Sequence, residues 1–166
     1  MQKVIAGLVS IARVGTGLSF AVLAVSVMIQ LMGRAGFIAA PIWTEEVARF
    51  SLLFMAAFGA GLSYRSGDMV NVDLVSEALP APWPWRLRLF SAAIVAGLCV
   101  MLLPSAWFYT SIGVRQTAPA LGIRMDYIHA SVLLLLVLLG LFAALQAIAM
   151  LTDNEDGRAI RPEGDE

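Results

Sequence analysis

The sequence predicts an all-α integral membrane protein with four transmembrane helices and a short interfacial helix between the second and third spans. Composition is the first reason: 60% of the 166 residues are hydrophobic and 14% are charged, against roughly 45–50% and 25% in soluble domains. A soluble chain of this length could not bury so much apolar surface in one core. The second reason is the spacing of the charges, which leaves uncharged stretches long enough to cross a bilayer.

Three uncharged stretches predict spans one, three and four. A spanning helix needs about 20 mostly apolar residues, and residues 14–33, 89–114 and 127–152 hold 20, 26 and 26 residues without a charge. The first stretch is longer than the roughly 7–15 apolar residues of a signal peptide, and no good Ala-x-Ala cleavage site follows it. We therefore interpret it as a retained helix.

The second span begins among charged residues. Only 15 uncharged residues separate Arg49 from Arg65, which is too short to cross the hydrocarbon at about 1.5 Å per residue. A helix that begins at position 43 has 22 residues, 43–64. Glu45 and Glu46 then lie in its first turn, where the helix dipole favours carboxylates, and Glu45 precedes Arg49 by four residues.

The other segments lie at or beyond the membrane surface. Residues 68–79 carry apolar side chains at helical spacing and predict a short helix lying in the interface. A strand is the alternative there, but it would leave open edges beside lipid. The proline-rich residues 80–85 end this segment. We expect residues 1–152 to form one transmembrane domain and the charged residues 153–166 to form a disordered cytoplasmic tail.

The placement of Lys and Arg predicts the orientation, because cytoplasmic loops are enriched in these residues. With the N-terminus inside, seven basic residues fall on the cytoplasmic side: Lys3, Arg13, Arg65, Arg86, Arg88, Arg158 and Arg161. Four fall on the outer side: Arg34, Arg49, Arg115 and Arg124. The bias predicts that both termini are cytoplasmic.

The residue inventory argues against several chemistries. The net charge of −1 provides no basic field for nucleic acid. One cysteine, Cys99, excludes an internal disulfide or a CxxC pair, and one histidine, His129, cannot supply two axial haem ligands. His129 lies near the start of the fourth span, where we expect it to form a hydrogen bond. We predict no catalytic residue, cofactor or metal site, and no enzyme activity.

The centres of the four predicted spans contain no Asp, Glu, Lys or Arg. Ionisable groups at mid-bilayer usually mark the ion or proton sites of transporters. The sequence therefore gives this chain helices and packing surfaces but no apparent place for ion coupling.

Small residues recur at four-residue spacing, which lets helix backbones approach closely. They are Ala56, Ala57, Gly59, Ala60, Gly61 and Ser63 in span two, Ala92, Ala93, Ala96 and Gly97 in span three, and Gly140 and Ala144 in span four. Two interpretations stay open. The small residues pack the four helices against one another, or part of this surface meets another membrane protein.

The cluster of residues 43–49 also has two interpretations. In the first, it is an ordinary solvent-exposed helix N-terminus, where exposed ion pairs contribute little to stability. In the second, it is a set of charges that specifies docking when a partner buries it. Taken together with span two, the predicted partner interface is Trp43, Glu45, Glu46, Arg49, Ala57, Gly59, Gly61 and Arg65.

Five short motifs in order resemble the small membrane (DctQ-type) subunit of tripartite ATP-independent periplasmic (TRAP) transporters. The likeness covers nearly the whole chain, and its specificity lies in the order of the motifs. They are Trp43-Thr-Glu-Glu46 with Arg49, Phe58-Gly-Ala-Gly61, Tyr64-Arg-Ser-Gly67, Val72-Asp-Leu74, and the loop from Thr117 to Met125. Met69 stands where the family often has histidine, and Arg124 where it often has proline.

The resemblance implies a non-catalytic subunit of a sodium-driven transporter in the bacterial inner membrane. Its implied partners are a large permease subunit, which carries the transport sites, and a periplasmic solute-binding protein, which captures an organic acid. The small subunit would brace the first and help to dock the second. The alternative is a self-sufficient four-span dimeric exporter, which would need a carboxylate at mid-membrane that this sequence lacks.

Overall fold

Four long α-helices make up most of the chain in the computed structural model. It describes residues 2–39, 41–66 and 83–152, and for residues 2–4, 65 and 66 the backbone alone. The helices are α1 (Gln2–Arg34), α2 (Trp43–Ser66), α3 (Trp83–Ile112) and α4 (Met125–Leu151), with a 3₁₀ turn at Gly113–Arg115 after α3. Each of the four is long and apolar enough to cross a membrane. The four predicted spans are therefore confirmed as helices.

Three helices begin earlier than the predicted spans, α4 by two residues and α1 and α3 by more. The 33 residues of α1 measure about 50 Å at 1.5 Å per residue, so its first turns extend beyond the hydrocarbon, and Arg13 lies exposed on it. The third helix begins at Trp83, inside the proline-rich segment, with Pro84 as its second residue. Proline fits there because the first turn of a helix needs no N–H donors. The predicted interfacial helix at 68–79 and the tail at 153–166 fall outside the described residues.

The helices lie side by side in the order α1–α2–α4–α3. Helix α2 packs against both α1 and α4, and α4 packs against both α2 and α3. Within the described residues, no α-carbon of α1 comes within 8 Å of α3 or α4, and none of α2 comes within 8 Å of α3. The described helices thus form an open row with a central pair, α2 and α4, and two edge helices.

Each of the three helix contacts in the row contains a glycine covered by a larger side chain. An added Cβ atom on these glycines would lie 2.7, 2.7 and 2.9 Å from the covering side chain, closer than van der Waals contact allows. In order along the row, the pairs are Gly15 and Phe58, Gly61 and Phe142, and Gly140 and Cys99. Small residues let helices approach in lipid, where no hydrophobic drive pushes them together. At Gly61 and Gly140, these contacts favour the interpretation as internal packing.

The edge helices expose most of their apolar side chains. On α3, the exposed aromatic residues include Phe90, Trp107 and Phe108, while Ala92, Cys99 and Ala106 are buried toward the row. Gly97 on the same helix has no atom within 4 Å of the position that its Cβ would take. Exposed apolar surface of this extent suits lipid or another membrane protein.

Candidate docking site at the hairpin end

One end of the row brings together the charged start of α2 and the connection between α3 and α4. Helices α1 and α3 end there, and α2 and α4 begin there, joined by the connections 35–42 and 113–124. We call it the hairpin end, after the hairpin of residues 117–124 within the second connection. Its exposed apolar residues in the first connection include Phe37 and Ile42, whose side chains are about four-fifths exposed.

The hairpin is held by backbone hydrogen bonds. Thr117 and Arg124 form an antiparallel bridge, and the amide of Ala118 donates to the carbonyl of Ile123 at 2.8 Å. The amide of Gly122 donates to the carbonyl of Ala118 at 2.8 Å. Gly122 has a φ of 65°, in the left-handed region that glycine adopts without strain. Ala118 at the base of the hairpin is buried, whereas Pro119 and Ala120 at its tip are exposed.

Glu46 of α2 binds the tip of this hairpin through both carboxylate oxygens. Oε1 accepts a hydrogen bond from the amide of Ala120, and Oε2 accepts one from the amide of Leu121, each at 3.0 Å. Hydrogen bonds to an ionised acceptor are roughly twice as strong as neutral ones. The contact therefore joins the first turn of α2 to the connection between α3 and α4.

The junction of α3 and α4 is tightly packed beside the hairpin. The His129 ring stacks on the Tyr109 ring with centroids 4.1 Å apart, and its Nδ1 lies 3.2 Å from the Tyr109 carbonyl oxygen. A Cβ atom on Gly113 would lie 2.6 Å from the amide nitrogen of Asp126 and 2.7 Å from His129 Nδ1. The predicted hydrogen bond of His129 is confirmed.

Charged side chains surround the hairpin. Arg124 forms a close ion pair with Asp126, at 2.7 Å between Nη2 and Oδ2. Arg49 and Glu45 are paired at 3.8 Å across one helical turn, with both side chains mostly exposed. An exposed pair of this kind contributes about 0–1 kcal/mol. The Glu45–Arg49 pair thus adds surface charge more than stability.

A family comparison decides what kind of protein carries this arrangement. The family described as the DctQ component of the tripartite ATP-independent periplasmic transporters matches residues 23–153. That range covers most of the chain, from the middle of α1 to just past α4. The chain belongs to the DctQ family.

A curated relative is consistent with this membership. The DctQ chain is 22% identical over 103 residues to a putative TRAP transporter small permease protein of Haemophilus influenzae. The alignment covers 62% of this chain and 64% of the relative, so it spans less than two thirds of that protein's length. The resemblance drawn from the five motifs is confirmed at the level of the family.

The residues predicted to meet a partner fall in three environments of this DctQ chain. Trp43, Glu45 and Arg49 are exposed at the hairpin end, and Glu46 is bound to the hairpin. In contrast, Ala57 and Gly61 are buried within the row, and Gly59 lies near Thr16 of α1. For Arg65 the structure describes only the backbone. Partner contact by any of the eight residues stays a prediction.

Sequence reasoning missed the bond between Glu46 and the hairpin. It singled out both segments, yet nothing in either one indicates that a carboxylate from one would bind amides more than 70 residues away in the other. The only local signal was Gly122, which follows a Pro-Ala-Leu stretch and is typical of a tight turn. Among the described residues, no group of His, Cys, Asp and Glu could hold a metal ion.

Proposed function

We propose that this DctQ chain braces the large permease subunit of a TRAP transporter and helps to dock a periplasmic solute-binding protein. The transporter would take up an organic acid, driven by sodium. The observation that carries the proposal is the DctQ family match over residues 23–153. The name of the Haemophilus influenzae relative, a putative small permease protein, agrees with it.

The row architecture suits a bracing role. A closed bundle would hide its packing surfaces, but in this row each edge helix packs against a single neighbour among the described helices. The centres of its helices carry no charged residue that could bind a coupling ion. The ion-binding and solute-binding sites are therefore assigned to the large subunit, and this chain supplies an apolar surface against which that subunit packs.

The large subunit is proposed to cover an exposed stripe on α2. Glu45, Arg49, Leu52 and Ala56 lie on one face of the helix, at spacings of four, three and four residues, and all four are exposed. The stripe stays open although α2 has helices on two sides. It starts with charges at the hairpin end and continues with apolar and small residues into the membrane. A neighbouring helix could pack closely there.

The hairpin end is proposed to face the periplasm, with both termini in the cytoplasm of a bacterium and the helices in its inner membrane. The support is the bias of seven against four basic residues toward the other end. In a Cys99→Ser background, a cysteine replacing Ala120 should react with an impermeant maleimide in intact cells. A cysteine replacing Gly7, on the other side, should react only after permeabilisation. The reverse pattern would invert the orientation.

Reconstitution tests the function itself. Liposomes that contain this chain alone should show no sodium-dependent uptake of any organic acid. Liposomes that contain this chain, its large subunit and the binding protein should show uptake, and the two membrane proteins should co-purify. Uptake or efflux by the small chain alone, together with a purified homodimer, would support the dimeric exporter instead.

A further inference from the structure

The three glycine contacts of the row fix how far each helix is shifted along its neighbours. They are Gly15 with Phe58, Gly61 with Phe142, and Gly140 with Cys99. Since an α-helix rises about 1.5 Å per residue, these contacts give each described helical residue a height along the row, measured toward the hairpin end. Phe58 lies three residues, or about 4.5 Å, nearer that end than Gly61. Residues of different helices at one height share one membrane depth only if the row stands upright in the bilayer.

The charges that end the uncharged stretches away from the hairpin end lie at different heights. Arg13 of α1 is two residues from Gly15, whereas Arg88 of α3 is eleven residues from Cys99. Counted through the contacts, Arg88 lies about 18 Å farther from the hairpin end than Arg13. The backbone of Arg65 in α2 lies between these two heights. This boundary therefore steps in one direction across the row, from α1 to α3.

The boundary at the hairpin end steps in the same direction. Arg34 ends α1 and Arg115 follows α3, and Arg115 lies about 9 Å farther from the hairpin end by the same measure. Tryptophan favours the membrane interface, and two exposed tryptophans repeat the step. Trp107 of α3 lies about 15 Å farther from the hairpin end than Trp43 of α2. Both boundaries of the apolar band are thus shifted toward the hairpin end on α1 and away from it on α3.

The exposed side chains of α1 show where this helix leaves the hydrocarbon. Before Arg13, the exposed residues are mostly small or polar. They are Ala6, Gly7, Ser10 and Ile11. After Arg13, they are mostly large and apolar and include Val14, Leu18, Phe20, Val22 and Val25. The change indicates that α1 meets lipid only after Arg13.

An upright row would place Arg13 deep in the hydrocarbon. Its height differs from that of Gly140 by about 1.5 Å, and Gly140 lies near the middle of α4. Helix α4 stays apolar and exposed as far as Ile148 and Leu151. A charged side chain at the bilayer centre is costly and usually faces a bundle interior or a cavity, but Arg13 is exposed on an edge helix. An oblique row removes this conflict, because it brings Arg13 to the membrane surface.

We propose that the row lies obliquely in the bilayer, with α1 displaced toward the hairpin side and α3 toward the opposite side. A step of about 9–18 Å across three helix contacts, each about 8–10 Å wide, corresponds to an inclination of roughly 20–35°, inside the range of about 0–40° found for spanning helices. Arg13 and Arg88 then reach the headgroups of one leaflet, and Arg34 and Arg115 reach those of the other. Neither partner subunit is needed for this placement, and it holds whichever end faces the periplasm.

Two pairs of exposed positions on the edge helices test the placement. Gly7 of α1 and Ile94 of α3 share one height, and Met28 of α1 and Val114 after α3 share another to within about 2 Å. No atom lies within 4 Å of the Cβ position of Gly7, so a side chain fits there. Each residue is replaced by cysteine in the full chain with Cys99→Ser, spin-labelled and reconstituted in lipid nanodiscs. Collisions of the label with oxygen and with a water-soluble nickel complex are then measured.

The oblique row predicts a crossed result, because oxygen concentrates in the bilayer core and the nickel complex stays in water. The ratio of oxygen to nickel collisions should be several times higher at Ile94 than at Gly7, and several times higher at Met28 than at Val114. The label in lipid is then on α3 in the first pair and on α1 in the second. Equal ratios within each pair would indicate an upright row and overturn the proposal, as would a higher ratio on the same helix in both pairs.

Arginine substitutions give a second readout that needs no label. Gly7→Arg should keep the wild-type yield in the membrane fraction, because position 7 stands in water. Ile94→Arg, at the same height on the other edge helix, should lower that yield severalfold, because an exposed arginine in hydrocarbon opposes insertion. Equal yields of the two variants would place both positions at one depth and overturn the proposal.

Discussion

The helix contacts inside the row depend on close steric packing, whereas the contact at the hairpin end depends on hydrogen bonds to a carboxylate. Inside the row, a glycine on one helix receives a side chain from the next, as Gly61 receives Phe142. At the hairpin end, an ionised side chain binds two backbone amides. Lipid offers no hydrophobic drive between helices, so close packing must hold the row. At the hairpin end, water competes for the same donors and acceptors, so the charge-assisted hydrogen bonds orient the hairpin but add little to the stability of the fold.

The largest expected effect is therefore in the row. Gly61→Leu places a branched side chain where even a Cβ atom would lie 2.7 Å from the Phe142 ring. Overpacking of this kind costs about 1–3 kcal/mol or more, so the yield and the unfolding temperature of the small subunit in detergent should both fall.

Gly97→Leu is the control for this substitution. Gly97 is also a helical glycine in a span, but nothing lies within 4 Å of its Cβ position. The yield of Gly97→Leu should match that of the wild type. If Gly61→Leu keeps its yield but loses the large subunit on purification, Gly61 belongs to the partner interface instead.

An intermediate effect is expected at the junction between the two regions. In Gly113→Ala, the new Cβ would lie 2.6 Å from the Asp126 amide nitrogen and 2.7 Å from His129 Nδ1, which makes the contact with the Tyr109 carbonyl. Moving the ring away would lose about 1 kcal/mol for that hydrogen bond. The unfolding temperature should fall less than in Gly61→Leu. His129→Ala should remove only part of the difference between glycine and alanine, because the contact with the Asp126 backbone remains. Equal effects of Gly113→Ala in both backgrounds would leave the Asp126 backbone as the sole cause.

The smallest effect is expected at Gln30 of α1, whose Nε2 is buried and has no hydrogen-bond partner among the described residues. A buried donor without a partner is costly, whereas an apolar group of similar size is not. Gln30→Leu should therefore leave the free energy of unfolding unchanged or raise it by up to about 1 kcal/mol. The unfolding temperature should then be equal to that of the wild type or higher. A clear loss of stability, with Ser26→Ala as a control on the same face, would show that Gln30 makes a bond across the helices.

The sequence was sufficient for the helices and insufficient for their arrangement. Long gaps between charges predict spans because the bilayer imposes a length on every crossing. The charged start of α2 was also predictable, since Glu45 and Glu46 suit a helix N-terminus. The order of the row was not, because a stretch such as 132–139 is apolar on all sides and gives no preferred face.

The candidate site was predictable only in its parts. Glu46 and the loop at 117–125 were both singled out, but their contact depends on the order of the row, which brings α2 beside α4. The small residues of span two gave an ambiguous signal, because internal packing and partner packing need the same spacing. The position of Phe142 over Gly61 favours internal packing at that residue.

One crossed experiment tests the difference between the row and the hairpin end most directly. Gly61→Leu and Glu46→Ala are each assayed for small-subunit yield and for the hydrogen-exchange rates of the Ala120 and Leu121 amides. We predict that Gly61→Leu loses yield, whereas Glu46→Ala keeps its yield and exchanges these two amides faster, because Glu46 accepts a hydrogen bond from each. Loss of yield in both variants would show that the row and the hairpin end do not have separate roles and would contradict this prediction.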